Sequence, residues 1–151
     1  EVERNDPYKD YTDLALALDS VRRRWSGAEV VATCATGGRP DMALSVLGLL
    51  AGYEDAPIWI AEDKVVARVL HAGESWTIEG AEGKTFSIIA IAPNTEVSEH
   101  GLEWELDHSP LGLLADTGIS NIVRSTAEIE VHTGTAIAYL LHQGFIGTVC
   151  E

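Results

Sequence analysis

The stretch Glu29–Gly52, EVVATCATGGRPDMALSVLGLLAG, decides the fold. Val30 to Cys34 is apolar and β-branched and predicts a buried strand. Gly37-Gly38 breaks that strand. Pro40 and Asp41 suit the first turn of a helix, where proline loses no needed hydrogen bond. Met42, Leu44, Val46, Leu47, Leu49 and Leu50 continue the helix, and Gly52 closes it. A strand, a glycine turn and a helix start gather free backbone N–H groups at the positive end of a helix dipole, which suits a phosphate. Arg39 adds a cation there, and Asp41 adds a carboxylate able to face a metal. The segment has neither a Gly-Lys-Ser/Thr ending nor GxGxxG. The same residues also suit a plain βα turn with an exposed arginine, and both readings stay open here.

Composition narrows the class. A chain of 151 residues holds one ordinary domain or two small ones, and a hydrophobic content of 46% fits a packed interior. The net charge of −14 argues against a nucleic-acid or anionic-membrane surface. It does not forbid a nucleotide, because Mg²⁺ mediates between carboxylates and phosphates. Cys34 and Cys150 have no metal spacing, and Cys34, in the predicted strand, is expected to be a buried free thiol. Low cysteine use and no signal peptide lead us to expect a cytoplasmic protein. No apolar run approaches the ~20 residues of a membrane helix. Because the chain begins at Glu1 and not Met, a segment preceding it is expected.

Taken in order, residues 1–9 are polar and expected to be extended. Leu14, Leu18, Val21 and Trp25 recur at helical spacing, with Thr12 as N-cap, so a helix is predicted over Asp13 to Arg24. Asp10 and Asp13 flank its start, either as helix caps or as ligands of Mg²⁺. Ala56 to Ala61, APIWIA, predicts a strand parallel to the first, with ligand groups at the strand ends, where Thr36 to Asp41 lie. Near residue 62 the pattern changes to short alternating runs. These are Lys64 to Leu70, Ser75 to Glu79, Thr85 to Ile91, Gly101 to Leu106, Ile129 to His132 and Ala136 to Leu141, with Gly144 to Glu151 as a last strand. Turn signals, including Pro93-Asn94, Asp107 to Pro110 and Thr133-Gly134, separate them and indicate an antiparallel sandwich or barrel.

In this β half, Asp116 to Asn121 forms a polar loop containing glycine. Ser120 and Asn121 offer a hydroxyl and an amide suited to a heteroaromatic edge, and Trp104 could stack on such a ring. A turn and a core tryptophan would explain the same residues. The five histidines show no HxH or HExxH spacing.

Three pieces then line up in order. KDYTDLALAL (Lys9 to Leu18) resembles the Lys/Gln-Asp-x-Thr-Asp segment of thiamine pyrophosphokinases. ATGGRPD (Ala35 to Asp41) resembles their Gly-Gly-Arg-x-Asp turn, and GLEWELDHSPLGLLADTGISN (Gly101 to Asn121) their Gly-Leu-x-Trp/Tyr-x-Leu stretch with its Ser-Asn loop. The resemblance implies transfer of diphosphate from ATP to thiamine, releasing AMP, with Mg²⁺, in a homodimer that holds thiamine near the subunit interface. It implies Asp10 and Asp13 as metal-binding and catalytic acids, with Asp13 as proton acceptor. It further implies Thr36, Gly37, Gly38, Arg39 and Asp41 at the ATP phosphates, and Trp104, Ser120 and Asn121 at thiamine. The family's Gly-Asp-x-Asp-Ser segment has no counterpart here and is expected before Glu1. Met42 stands where the family usually has His, Val46 where it has Asn, and Ile122 where it often has a polar residue.

The expected architecture is α/β followed by all-β. Residues 1–62 would form a partial Rossmann-like nucleotide-binding part, and residues 63–151 an antiparallel β-sandwich or barrel binding thiamine. A non-catalytic relative, binding a small ligand or serving as a dimerisation module, is the alternative function, and a structural protein of unrelated role is a third.

Overall fold

The computed structural model describes residues 6, 10–62 and 64–142; the expected extended start, the expected last strand from Gly144 and Cys150 fall outside the described residues. Helix α1 (Asp13–Arg24) starts where the Thr12 side chain accepts the Ala15 N–H at 3.2 Å, and it ends on Arg22, Arg23 and Arg24, which complement the dipole. Strand β1 (Val30–Ala32) is shorter than the sequence predicts. Cys34 lies beyond it at φ 55 and is exposed, so the expectation of a buried thiol is corrected: the chain has left the strand and is already turning. Helix α2 (Pro40–Ala51) opens on Pro40 and is capped by Gly52. Strand β2 (Ile58–Glu62) then runs parallel to β1, with Val30 opposite Ile58 and Ala32 opposite Ile60.

Seven antiparallel strands follow: β3 (Val65–His71), β4 (Ser75–Ile78), β5 (Thr85–Ala90), β6 (Thr95–Leu102), β7 (Leu106–Leu111), β8 (Asn121–Thr133) and β9 (Thr135–Leu141). The strand order is β1-β2-β3-β9-β5-β8-β6-β7, with β4 paired to β8. The parallel pair and the antiparallel strands therefore form one continuous network, joined by β2 beside β3. The long strand β8 pairs with β5 through Asn121 and Ile122, then with β6 and β4 further along. The fold is sheet-rich, with two helices among the described residues.

Two apolar clusters fill it. One gathers Phe86, Ile88, Val97, Ile129, Val131 and Leu140 from both groups of antiparallel strands, as in a sandwich. The other packs Leu18, Val46, Leu50, Ile58 and Ile60 against Ala67, Val69 and Ile137. Strand β9 serves both, because Ala136 and Ala138 face the first cluster and Ile137 the second.

Two of the sequence expectations are corrected here. Gly101 to Leu106 is not one strand: Gly101 and Leu102 end β6, residues 103–105 connect it to β7, and Leu106 begins β7; Asp107 to Pro110 is not a turn but part of β7. Strand β7 ends the strand order, and such edges tolerate a residue without N–H. At Gly101, φ is 76° and an added Cβ would lie 2.2 Å from the Thr126 carbonyl oxygen, so the chain bulges where only glycine fits. Ile129 to His132, predicted as a short strand, is the end of β8. No helix among the described residues is long and apolar enough to cross a membrane.

Two outcomes follow from this packing. Ile137 is 0% exposed in the second cluster, so Ile137→Ala should lower unfolding free energy by about 2–5 kcal/mol, read from urea midpoints. Across β6 and β7, His108 Nδ1 lies 2.9 Å from Glu96 Oε1, and its ring stacks on His132 at 3.9 Å. The Glu96 carboxylate holds His108 above its ordinary pKa of 6.5. A raised folded pKa contributes stability that is full below the ordinary value and is lost as pH rises through the folded one. Glu96→Gln should flatten that decline in urea midpoints recorded upward from about pH 5.

Candidate functional site

The starts of both helices line one cleft of ≈ 470 Å³. Thr12, Asp13 and Leu14 come from α1, Arg39 and Met42 from the start of α2, and Ala35 and Gly37 from the turn between β1 and α2. Two helix N-termini directed at one space favour an anion. Asp13 and Arg39, from separate sequence motifs, are thus brought together, while Asp10 is an exposed bend residue outside the lining.

Arg39 and Asp41 pair with each other. Nε lies 3.1 Å from Oδ1 and Nη2 2.5 Å from Oδ2, with both side chains exposed. The Arg39 guanidinium holds Asp41 below the usual carboxylate range, and Asp41 raises Arg39 in turn. An incoming phosphate would have to exchange with Asp41 for Arg39. Gly38, at φ +86, takes a left-handed conformation that suits glycine.

Thr36 is turned elsewhere. Glu62, at the end of β2, accepts the Ala35 N–H at 2.6 Å, the Thr36 N–H at 2.8 Å and the Thr36 hydroxyl. These bonds, led by the Thr36 hydroxyl, hold Glu62 below its ordinary pKa. The carboxylate therefore occupies backbone donors that the sequence offers to a phosphate. Thr36 and Glu62 border a larger, mainly apolar cavity of ≈ 620 Å³ with Ile60, Ser87, Ile119 and Tyr139.

A third space, a cleft of ≈ 230 Å³, lies in the β half, lined by Glu99, Trp104, Leu106, Thr117, Gly118, Ile119 and Asn121. Ile119 borders this cleft and the large cavity alike. Trp104 stands 61% exposed on the β6–β7 connection, free to present a ring face. Asn121 is buried, and its amide brackets Trp104. Oδ1 accepts the Trp104 N–H at 3.1 Å and the Ile122 N–H at 2.9 Å, and Nδ2 donates to the Trp104 carbonyl at 2.6 Å. Ser120, at φ 61, is exposed and outside the cleft lining; its N–H donates to Ser87 Oγ at 3.0 Å.

Sequence reasoning missed Glu62, Glu99 and Gly118. Glu99 shares an inward parity with Thr95 and Val97, a signal readable once β6 is placed over Thr95–Leu102. Gly118 has φ +90, and a Cβ there would meet Ile88 Cγ2 at 2.7 Å.

For Mg²⁺, no group of three His, Cys, Asp or Glu among the described residues could hold a metal ion. Asp13 on the cleft, with Asp10 three residues before it, fits Mg²⁺ only in the company of phosphate oxygens and water, a common arrangement for that ion.

Asn121→Ala should strand two backbone groups of Trp104 and lower unfolding free energy by about 1–3 kcal/mol, measured by urea denaturation.

Residues 75–137 match the family model described as thiamin pyrophosphokinase, vitamin B1 binding domain. Over 125 residues the chain is 28% identical to Thiamine pyrophosphokinase 1 of Arabidopsis thaliana, covering 77% of this chain and 47% of that protein. It thus spans about half the length of this curated relative. Among solved structures, thiamine pyrophosphokinase from Bacillus subtilis matches at TM-score 0.74 and 22% identity, over 90% of this chain and 65% of that one. A thiamin pyrophosphokinase family protein from Enterococcus faecalis matches at TM-score 0.77 and 19% identity, over 93% and 68%. These structures share the fold. Together with the family model and the curated relative, they support a relationship of this chain to the thiamine pyrophosphokinase family.

Proposed function

We propose that the chain is the thiamine-binding and part of the nucleotide-binding portion of a thiamine diphosphokinase. The observation that carries this is the cleft in which buried Asn121 holds exposed Trp104, inside the residues that match the vitamin B1 binding domain. Residues 63–151 would hold thiamine. Residues 1–62, a partial Rossmann-like unit, would hold the ATP phosphates. A homodimer in the cytoplasm completes the proposal.

The reaction moves diphosphate from ATP to the thiamine hydroxyl. The hydroxyl oxygen forms a bond to the β-phosphorus, the bond from that phosphorus to the AMP oxygen breaks, and AMP leaves. Such transfers depend on positioning and on neutralised oxygens. Arg39, released from Asp41, would bind phosphate oxygens, and the two helix starts would add their N–H groups. Asp13 would accept the hydroxyl proton. Mg²⁺, held by Asp13 and Asp10 with phosphate and water, would supply further charge neutralisation. Trp104 would stack on a thiamine ring, with Asn121 fixing its backbone and Ser120 beside the loop.

A non-catalytic relative, binding a small ligand without phosphoryl chemistry, is favoured by one observation: Glu62 and Asp41 already engage the donors that ATP would use. Calorimetric titration separates the two. Thiamine should bind saturably, and Trp104→Ala should weaken it about tenfold to a hundredfold, the worth of aromatic stacking. ATP with Mg²⁺ should bind the wild type and lose affinity in Arg39→Ala. Thiamine binding without ATP binding would favour the non-catalytic relative, and absence of thiamine binding would overturn both.

A further inference from the structure

Glu99 is 0% exposed, yet it lines the cleft that Trp104 overhangs. Its Oε2 accepts only a long hydrogen bond, 3.4 Å, from Asn121 Nδ2. Its Oε1 is buried with no hydrogen-bond partner among the described residues. Burial pushes the carboxyl up to about 7. A buried acceptor left unpaired costs stability, and leucine, which carries no acceptor, would avoid that cost. The wall facing Oε1 is Gly118, where an added Cβ would lie 3.8 Å from that oxygen. The carboxyl thus borders the cleft beside Gly118 and is unmatched among the described residues, which marks a group suited to reading a ligand.

We propose that Glu99 reads the aminopyrimidine edge of the ligand, a ring nitrogen beside an exocyclic amine. This rests on the thiamine reading of the cleft and adds which half of the molecule enters and what recognises it. Asn121's orientation is fixed by two backbone N–H groups donating to its Oδ1, so Nδ2 must donate to Oε2. Oε2 is then the acceptor oxygen, and the carboxyl proton resides on Oε1. The Oε1 hydroxyl donates to the ring nitrogen. The exocyclic amine donates to the remaining lone pair of Oε2. Trp104 covers the ring face, and the cationic thiazolium half lies outward, away from the buried floor.

The test uses two substitutions at one position. Glutamine carries a donor and an acceptor in the places of the protonated acid; leucine carries neither. Thiamine, 4-amino-5-hydroxymethyl-2-methylpyrimidine and a thiazolium alcohol are titrated calorimetrically into the wild type, Glu99→Gln, Glu99→Leu and Trp104→Ala. We expect Glu99→Gln to bind thiamine and the pyrimidine nearly as the wild type does. Glu99→Leu should lose about tenfold or more for both, the worth of the two hydrogen bonds. Thermal melts verify folding, and Glu99→Leu should melt above the wild type. Equal loss in Glu99→Gln and Glu99→Leu would overturn the proposal in favour of a carboxylate paired with the thiazolium cation. Undiminished binding in Glu99→Leu, with binding lost in Trp104→Ala, would overturn it while leaving the thiamine site standing. A wild type that binds no thiamine would overturn the proposal together with the reading beneath it.

Discussion

The pairing of β3 with β9, from Val65 opposite Leu141 to His71 opposite Thr135, is the constraint on which the rest of the molecule depends. Both strands are covered on two faces. Ala67, Val69 and Ile137 meet the helices, and Leu70, Ala136 and Ala138 meet the sandwich interior. A strand buried on both faces has no spare register, because a slip of one residue would exchange its two sets of neighbours. The helical layer and the antiparallel strands are thereby held at one fixed offset. The large cavity inherits that offset, since its lining draws on Thr36 and Ile60 from one side and Ser87, Ile119 and Tyr139 from the other.

Charge is arranged with the same economy. The chain carries a net charge of −14, yet the region proposed for phosphate binding is built from helix starts and one arginine. Carboxylates occupy those donors: Glu62 sits on the backbone of Ala35 and Thr36, and Asp41 on the Arg39 guanidinium. In the β cleft the carboxyl of Glu99 meets burial with one long hydrogen bond from Asn121, and burial pushes it up to about 7. Three acids beside three spaces thus have different environments, set by what each can hydrogen-bond.

Much of this was legible in the residues. Thr12, Pro40 and Gly52 mark helix ends because capping is local chemistry, and the structure places both helices there. The change of pattern near residue 62 coincides with the change from parallel to antiparallel pairing. The errors fell where distant partners decide. Cys34 looks buried in an apolar run, but the strand stops at Ala32, where its pairing with β2 ends. Pro110 looks like a turn, but an edge strand tolerates it. Gly101 to Leu106 looks like one strand, but β6 bulges at Gly101 against the Thr126 carbonyl of β8 and ends at Leu102. Of the residues proposed at thiamine, Trp104 and Asn121 share a cleft through direct bonds that no local pattern encodes, and Glu99 escaped notice because its strand was not placed.

The β3–β9 pairing also fixes when the molecule can become itself. Val65 must wait for Leu141, with five strands formed between them, so the pair closes by a long-range encounter that carries a large loop-closure entropy. During synthesis the apolar residues of β3 and the helical layer exist before their partner does. The chain is therefore most prone to aggregate in the interval after β3 emerges and before β9 follows.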